Sequence, residues 1–98
     1  MRVEFMDANL GRLVREPDFC PAGWHPGLIR VYRRAYQLIR GAIDVRDLWA
    51  LRSLGLEQLS GDSPGSVSIR LSEHCRLLLD FKSDGEQIAV LVAVVDCH

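Results

Sequence analysis

Apolar and polar residues alternate at the start of the chain, with Val3 and Phe5 set against Arg2 and Glu4. That period of two predicts a short strand, and a helical turn is expected after it over Asp7 to Val14. From Glu16 to Gly27, three prolines and two glycines interrupt any regular element. This stretch reads as a loop, with Phe19 and Trp24 as the side chains that would pin it to a core. Between Pro26 and Ile43 the apolar positions Leu28, Tyr32, Ala35, Leu38, Ile39, Ala42 and Ile43 follow the spacing of one helix face. Pro26 or Gly27 would start that helix. Asp44 as N-cap, with Asp47 three positions on and Leu48 and Leu51 behind, predicts a second short helix that ends near Gly55.

Beyond Leu56 the pattern changes to strands, so the fold class is α+β. Gly61 to Gly65 reads as a turn joining Leu56-Glu57-Gln58-Leu59 to a half-buried strand over Ser66 to Ser72. In that strand Val67, Ile69 and Leu71 face one way and Ser66, Ser68, Arg70 and Ser72 the other. Cys75, Leu77, Leu79 and Phe81 continue the same apolar face only if odd residues pair with odd, which requires a connection of odd length. A three-residue turn at Ser72-Glu73-His74 puts Leu71 opposite Cys75, and therefore Arg70 directly opposite Arg76. Opposed arginines are unfavourable unless an anion lies between them or nearby carboxylates compensate. A phosphate would serve, and so would Glu57 and Asp96; the pattern supports both. After a turn at Ser83 to Glu86, the run Ile88 to Val95 reads as a central strand buried on both faces.

Composition narrows the picture. With 98 residues and 48% hydrophobic content, the chain suits one domain spanning residues 1–98. No stretch approaches the roughly 20 apolar residues of a membrane helix, and the N-terminus lacks the apolar segment of a secretory signal. A cytoplasmic protein is expected, with no membrane role. Cys20, Cys75 and Cys97 form an odd set with no C-x-x-C spacing, which argues against a disulfide framework. His74-Cys75 and Cys97-His98 are adjacent pairs that a strand would point to opposite faces, which argues against a metal site, and no cofactor is expected. Net charge is −1, so any attraction to nucleic acid must come from local clusters. The basic groups are 11 arginines and one lysine, and guanidinium suits bidentate phosphate contacts. Arg30, Arg33, Arg34 and Arg40 line the polar side of the long helix, as a solvated face or a ridge able to meet RNA or an acidic partner.

Four segments in order, Leu56-Glu57-Gln58-Leu59-Ser60-Gly61-Asp62, Ser68-Ile69-Arg70-Leu71, Arg76-Leu77 and Asp96-Cys97-His98, resemble the HigB-like toxins of the RelE/ParE superfamily. Those toxins carry L-x-x-L-K-G-D, S-I-R, W/Y-R and a terminal V-D-Y-H. The resemblance covers roughly Leu28 to His98 and includes Arg46-Asp47-Leu48-Trp49-Ala50-Leu51. It implies a small mixed, mainly antiparallel sheet with two helices from the N-terminal half packed on one face. It further implies ribosome-dependent endonucleolytic cleavage of mRNA, with a HigA-like helix-turn-helix antitoxin as the silencing partner.

On that resemblance Arg70 and Arg76 would stabilise the charged phosphorane, while His98, Asp96 and Glu57 would move or tune protons. Arg30, Arg33, Arg34, Arg40, Ser60 and Cys97 would contact RNA or ribosome. Two departures stand out. Ser60 replaces a usual lysine and Cys97 a usual tyrosine, which removes a cation and a base-stacking ring and points to weakened activity. A gyrase-inhibiting ParE-like toxin and a non-catalytic antitoxin-binding protein are the alternative readings.

Overall fold

The computed structural model describes residues 1–59 and 66–95. Ser60, the turn expected over Gly61 to Gly65, Asp96, Cys97 and His98 lie outside them. In chain order the elements are β1 (Arg2–Phe5), α1 (Ala8–Arg15), α2 (Pro26–Gly41), α3 (Val45–Ala50), a 3-10 turn (Arg52–Leu54), β2 (Leu56–Gln58), β3 (Val67–Arg70), β4 (Arg76–Ser83) and β5 (Gln87–Val95). The strands form one sheet in the order β1-β5-β4-β3-β2, with β1 parallel to β5 and the other pairs antiparallel. This is the mixed, mainly antiparallel α+β sheet expected. The helical turn expected near the N-terminus is a full helix, so three helices rather than two accompany the sheet among the described residues.

Each helix begins where its sequence offers a cap. The Asp7 carboxylate accepts from the Asn9 N–H at the start of α1, and His25 Nδ1 accepts from the Leu28 N–H at the start of α2, with Pro26 in its first turn. Asp44 and Asp47 form a reciprocal capping box on α3. That box explains why α2 stops at Gly41 instead of running to Ile43. The Asp47 carboxylate takes the Ile43 N–H at 2.9 Å, and Ile43 is left 87% exposed. The terminal ammonium group of Met1 meanwhile satisfies the freed carbonyls of Arg40 and Ala42.

The helices cover one face of the sheet. Leu10 and Leu13 of α1, Leu28, Tyr32 and Ile39 of α2 and Leu48 of α3 share a buried cluster with Ile69, Leu77, Leu79 and Leu91. The Tyr32 hydroxyl donates to the Leu10 carbonyl at 2.8 Å, which ties α2 to α1 inside that core. Burial pushes the Tyr32 phenol well above its usual range, because ionisation there would strand a charge away from water. Trp24 packs edge-on against Tyr32, and Phe19 and Trp24 anchor the long loop as expected.

Two expectations are corrected. The apolar run of β5 is not buried on both faces throughout: Ile88, Ala89 and Leu91 are buried, whereas Val90 and Val92 to Val95 are half-buried. No described helix covers the second face, and a continuous apolar run cannot by itself reveal that. Among the cysteines, Cys20 is free and exposed, Cys97 lies outside the described residues, and Cys75 is disulfide-bonded. Spacing along the chain does not report which thiols the tertiary fold brings within bonding distance.

Candidate functional site

The second face of the sheet holds the charged constellation. Leu71 N–H donates to the Cys75 carbonyl at 2.9 Å, and the Ser72 hydroxyl accepts from the N–H groups of His74 and Cys75. This closes the three-residue turn expected from parity. Register follows from it: Val67 pairs with Leu79, Ile69 with Leu77 and Arg70 with Arg76. A bulge does occur in the sheet, but it lies between β4 and β5 at Leu78/Leu79 and leaves the β3–β4 pairing in step.

On the other side of β3, Glu57 of β2 lies opposite Ser68. Residues opposite one another share a sheet face, so Glu57, Ser68, Arg70 and Arg76 all belong to the face away from the helices. The Glu57 carboxylate accepts from the Arg76 guanidinium at 2.9 Å. Their strands are not neighbours; β3 runs between them, so the ion pair reaches across it at the level of Ser68 and Arg70. Both partners remain accessible, at 40% for the Arg76 side chain and 61% for Glu57. An exposed pair of this kind contributes little to stability, and a competing anion can displace it.

Ser68 was placed on the polar face by the alternation of its strand, yet it is only 1% exposed. Its hydroxyl is the one buried side-chain polar atom without a hydrogen-bond partner among the described residues. The sequence marked Ser68 only as part of a short S-x-R segment. Nothing in its alternation could separate a solvated serine from an orphaned one, because the difference depends on tertiary surroundings that a local period does not carry.

Gly55 brings β2 to this position. Its φ of +59° is left-handed, a conformation that closes the 3-10 turn and that residues with a side chain adopt at a cost. A groove of about 230 Å³ opens where α2 meets the end of β3, and Arg34 and Arg70 both line it, with Val31, Leu38 and Leu54. Arg34 of the helix ridge and Arg70 of the sheet thus border one concavity, a juxtaposition no local pattern signals. Arg30 and Arg40 are exposed. Arg33 is engaged within the fold: it donates to the carbonyls of Leu13, Glu16 and Pro17 at 2.7 to 3.1 Å, tying the long loop to α2. Those bonds leave little of its guanidinium for a partner.

Among the described residues, then, the fold brings Glu57, Arg70 and Arg76 together and adds Ser68. Chemically the group offers two opposed guanidinium groups for an anion and a carboxylate able to accept a proton beside it. No helix of the described residues is long and apolar enough to cross a membrane.

No protein-family model matches the chain, and no curated protein matches its sequence. Its fold does resemble a solved structure, a YoeB/ParE toxin from Agrobacterium tumefaciens, with a TM-score of 0.62 and 14% identity over 100% of this chain and 99% of that one. At that identity the likeness establishes a shared RelE/ParE-type fold along the full length of the chain.

Proposed function

We propose that this protein is the toxin of a type II toxin–antitoxin system, a ribosome-dependent mRNA endoribonuclease held inactive by a HigA-like antitoxin. The observation that carries the reading is the pair of directly opposed arginines, Arg70 and Arg76, on the sheet face left open by the helices, with the Glu57 carboxylate seated on one of them. Like charges held opposite one another in a sheet are what an anion-binding site needs and what a merely structural face avoids. The full-length fold likeness to a YoeB/ParE toxin supports the same assignment.

The chemistry follows from the groups. A ribose 2′-hydroxyl attacks the adjacent phosphorus, the bond from phosphorus to the 5′-oxygen breaks, and a 2′,3′-cyclic phosphate and a 5′-hydroxyl result. In this reading Glu57 takes the proton of the attacking hydroxyl once a phosphate occupies Arg76, and the two guanidinium groups offset the charge that develops on the phosphorane. The proton delivered to the leaving oxygen is assigned to His98, with Asp96 tuning it, on the strength of the sequence resemblance. Arg30, Arg34 and Arg40 extend a basic surface toward RNA or ribosome.

The decisive experiment is primer-extension mapping of mRNA after induced expression in a bacterial host, comparing the intact protein with Arg76→Ala and His98→Ala. Cuts within translated regions that disappear in both variants are the expected result. Growth arrest without cuts would replace this reading with gyrase inhibition of the ParE type. Absence of both would replace it with a non-catalytic antitoxin-binding protein, the outcome toward which Ser60 and Cys97 lean.

A further inference from the structure

A buried hydroxyl without a partner is costly, because it has given up water and received nothing in exchange. Ser68 is in that condition, and its place in the sheet says what could relieve it. It sits directly opposite Glu57, where side-chain roots are about 5 Å apart, and on the strand over which the Glu57–Arg76 ion pair passes. The Glu57 carboxylate is more than half exposed and so is free to turn. Its present partner, Arg76, is also one of the two arginines that would receive a phosphate.

We infer that Ser68 is a positioning residue for Glu57: when a phosphate takes Arg76, the displaced Glu57 carboxylate turns toward β3 and accepts the hydrogen bond that the Ser68 hydroxyl holds in reserve. The inference rests on the phosphate-binding reading of Arg70 and Arg76. In the unliganded protein Glu57 occupies the guanidinium that the phosphate needs, and acts as an internal competitor. In the liganded protein Ser68 holds the same carboxylate close to the phosphate instead of letting it swing into solvent, which keeps the proton acceptor beside the reacting group. One residue thereby has two stations, and the orphaned hydroxyl marks the second.

This assignment separates from a packing role. Serine to alanine at a buried position with an unmet hydroxyl removes a desolvation penalty, so Ser68→Ala should leave thermal stability unchanged or raise it. Phosphate binding should move in the opposite direction. A charge-assisted hydrogen bond lost from the liganded state alone weakens binding by about tenfold.

The test is a titration with inorganic phosphate, followed through the guanidinium NMR signals of Arg70 and Arg76, on four proteins: the unaltered chain, Ser68→Ala, Glu57→Ala and the double variant. Ser68→Ala should bind about tenfold more weakly than the unaltered chain. Glu57→Ala should bind more tightly than the unaltered chain, its competitor gone, and adding Ser68→Ala to it should change nothing. Equal affinity of the unaltered chain and Ser68→Ala, or the same loss in the presence and absence of Glu57, would overturn the role given to Ser68 and leave the phosphate site standing. Failure of phosphate to shift either arginine in any of the four proteins would overturn the site itself and this inference with it.

Discussion

Individual side chains in this protein carry charges that their surroundings only partly settle. Arg12 is taken up by Glu16 and stacks on Phe19, and Arg46 is taken up by Asp44. Arg33 is spent on three backbone carbonyls. Arg70 and Arg76 differ from these in facing each other with, among the described residues, a single carboxylate against one of them. Replacing either by alanine should abolish growth arrest on induction while leaving the melting temperature within a degree or two, since neither side chain belongs to the buried core. A toxic Arg76→Ala protein present at normal levels would show that the arginine pair is not the site. The sequence made this pair legible through parity alone. Ser68 was not legible at the same scale, because its burial arises only in the assembled sheet.

At the scale of elements, boundaries follow local chemistry. Gly55 ends the 3-10 turn in a left-handed conformation and aligns β2 with β3. Gly55→Ala should destabilise the protein by about 1 to 2 kcal/mol, read as a shift in the urea midpoint, with Gly55→Asn milder. An unchanged midpoint would mean that the turn relaxes to another conformation. The α3 cap makes a separate prediction about acid. The hydrogen bond from the Arg46 guanidinium, followed by that from the Arg46 backbone N–H, holds the Asp44 carboxylate below its usual range. A carboxylate whose pKa is lower folded than unfolded contributes its stabilisation in full above the unfolded value, and loses it as pH falls through the folded one. Between about pH 4 and pH 2 the melting temperature of the unaltered protein should therefore fall more steeply than that of Asp44→Asn, which keeps a capping oxygen without a titrating charge. Parallel curves would remove Asp44 from the acid response. The capping box, the proline at the start of α2 and the odd-length turn before β4 were all readable in the sequence, because each acts over four residues or fewer. The end of α2 is not readable in this way: helical spacing reaches Ile43, but the capping box of the next helix claims its N–H.

The whole molecule decides which sheet face is covered. Helices from the N-terminal half pack over Leu77, Leu79 and Leu91, and the opposite face keeps half-buried Val90, Ala93 and Val95 beside the charged cluster. Leu77, fully buried at the centre of the sheet, should cost about 2 to 5 kcal/mol on truncation to alanine in equilibrium unfolding. A loss below 1 kcal/mol would mean that the helices collapse onto the vacated space far better than a close-packed core allows. That asymmetric packing leaves the arginine pair accessible on a face free of described helices.

Alternation, helical spacing and turn length by themselves determined the fold class, the strand pairing of β3 with β4 and the opposition of Arg70 and Arg76. These depend on a period, a cap or a parity, and each is written in consecutive residues. Tertiary structure alone decided that β5 is only half-buried beyond Leu91, that Arg34 shares a groove with Arg70, that Cys75 is disulfide-bonded, that Glu57 reaches over β3 to Arg76, and that the Ser68 hydroxyl is buried without a partner. Those relations join residues as much as 36 positions apart, such as Arg34 and Arg70, and a local period has no term for distance through space.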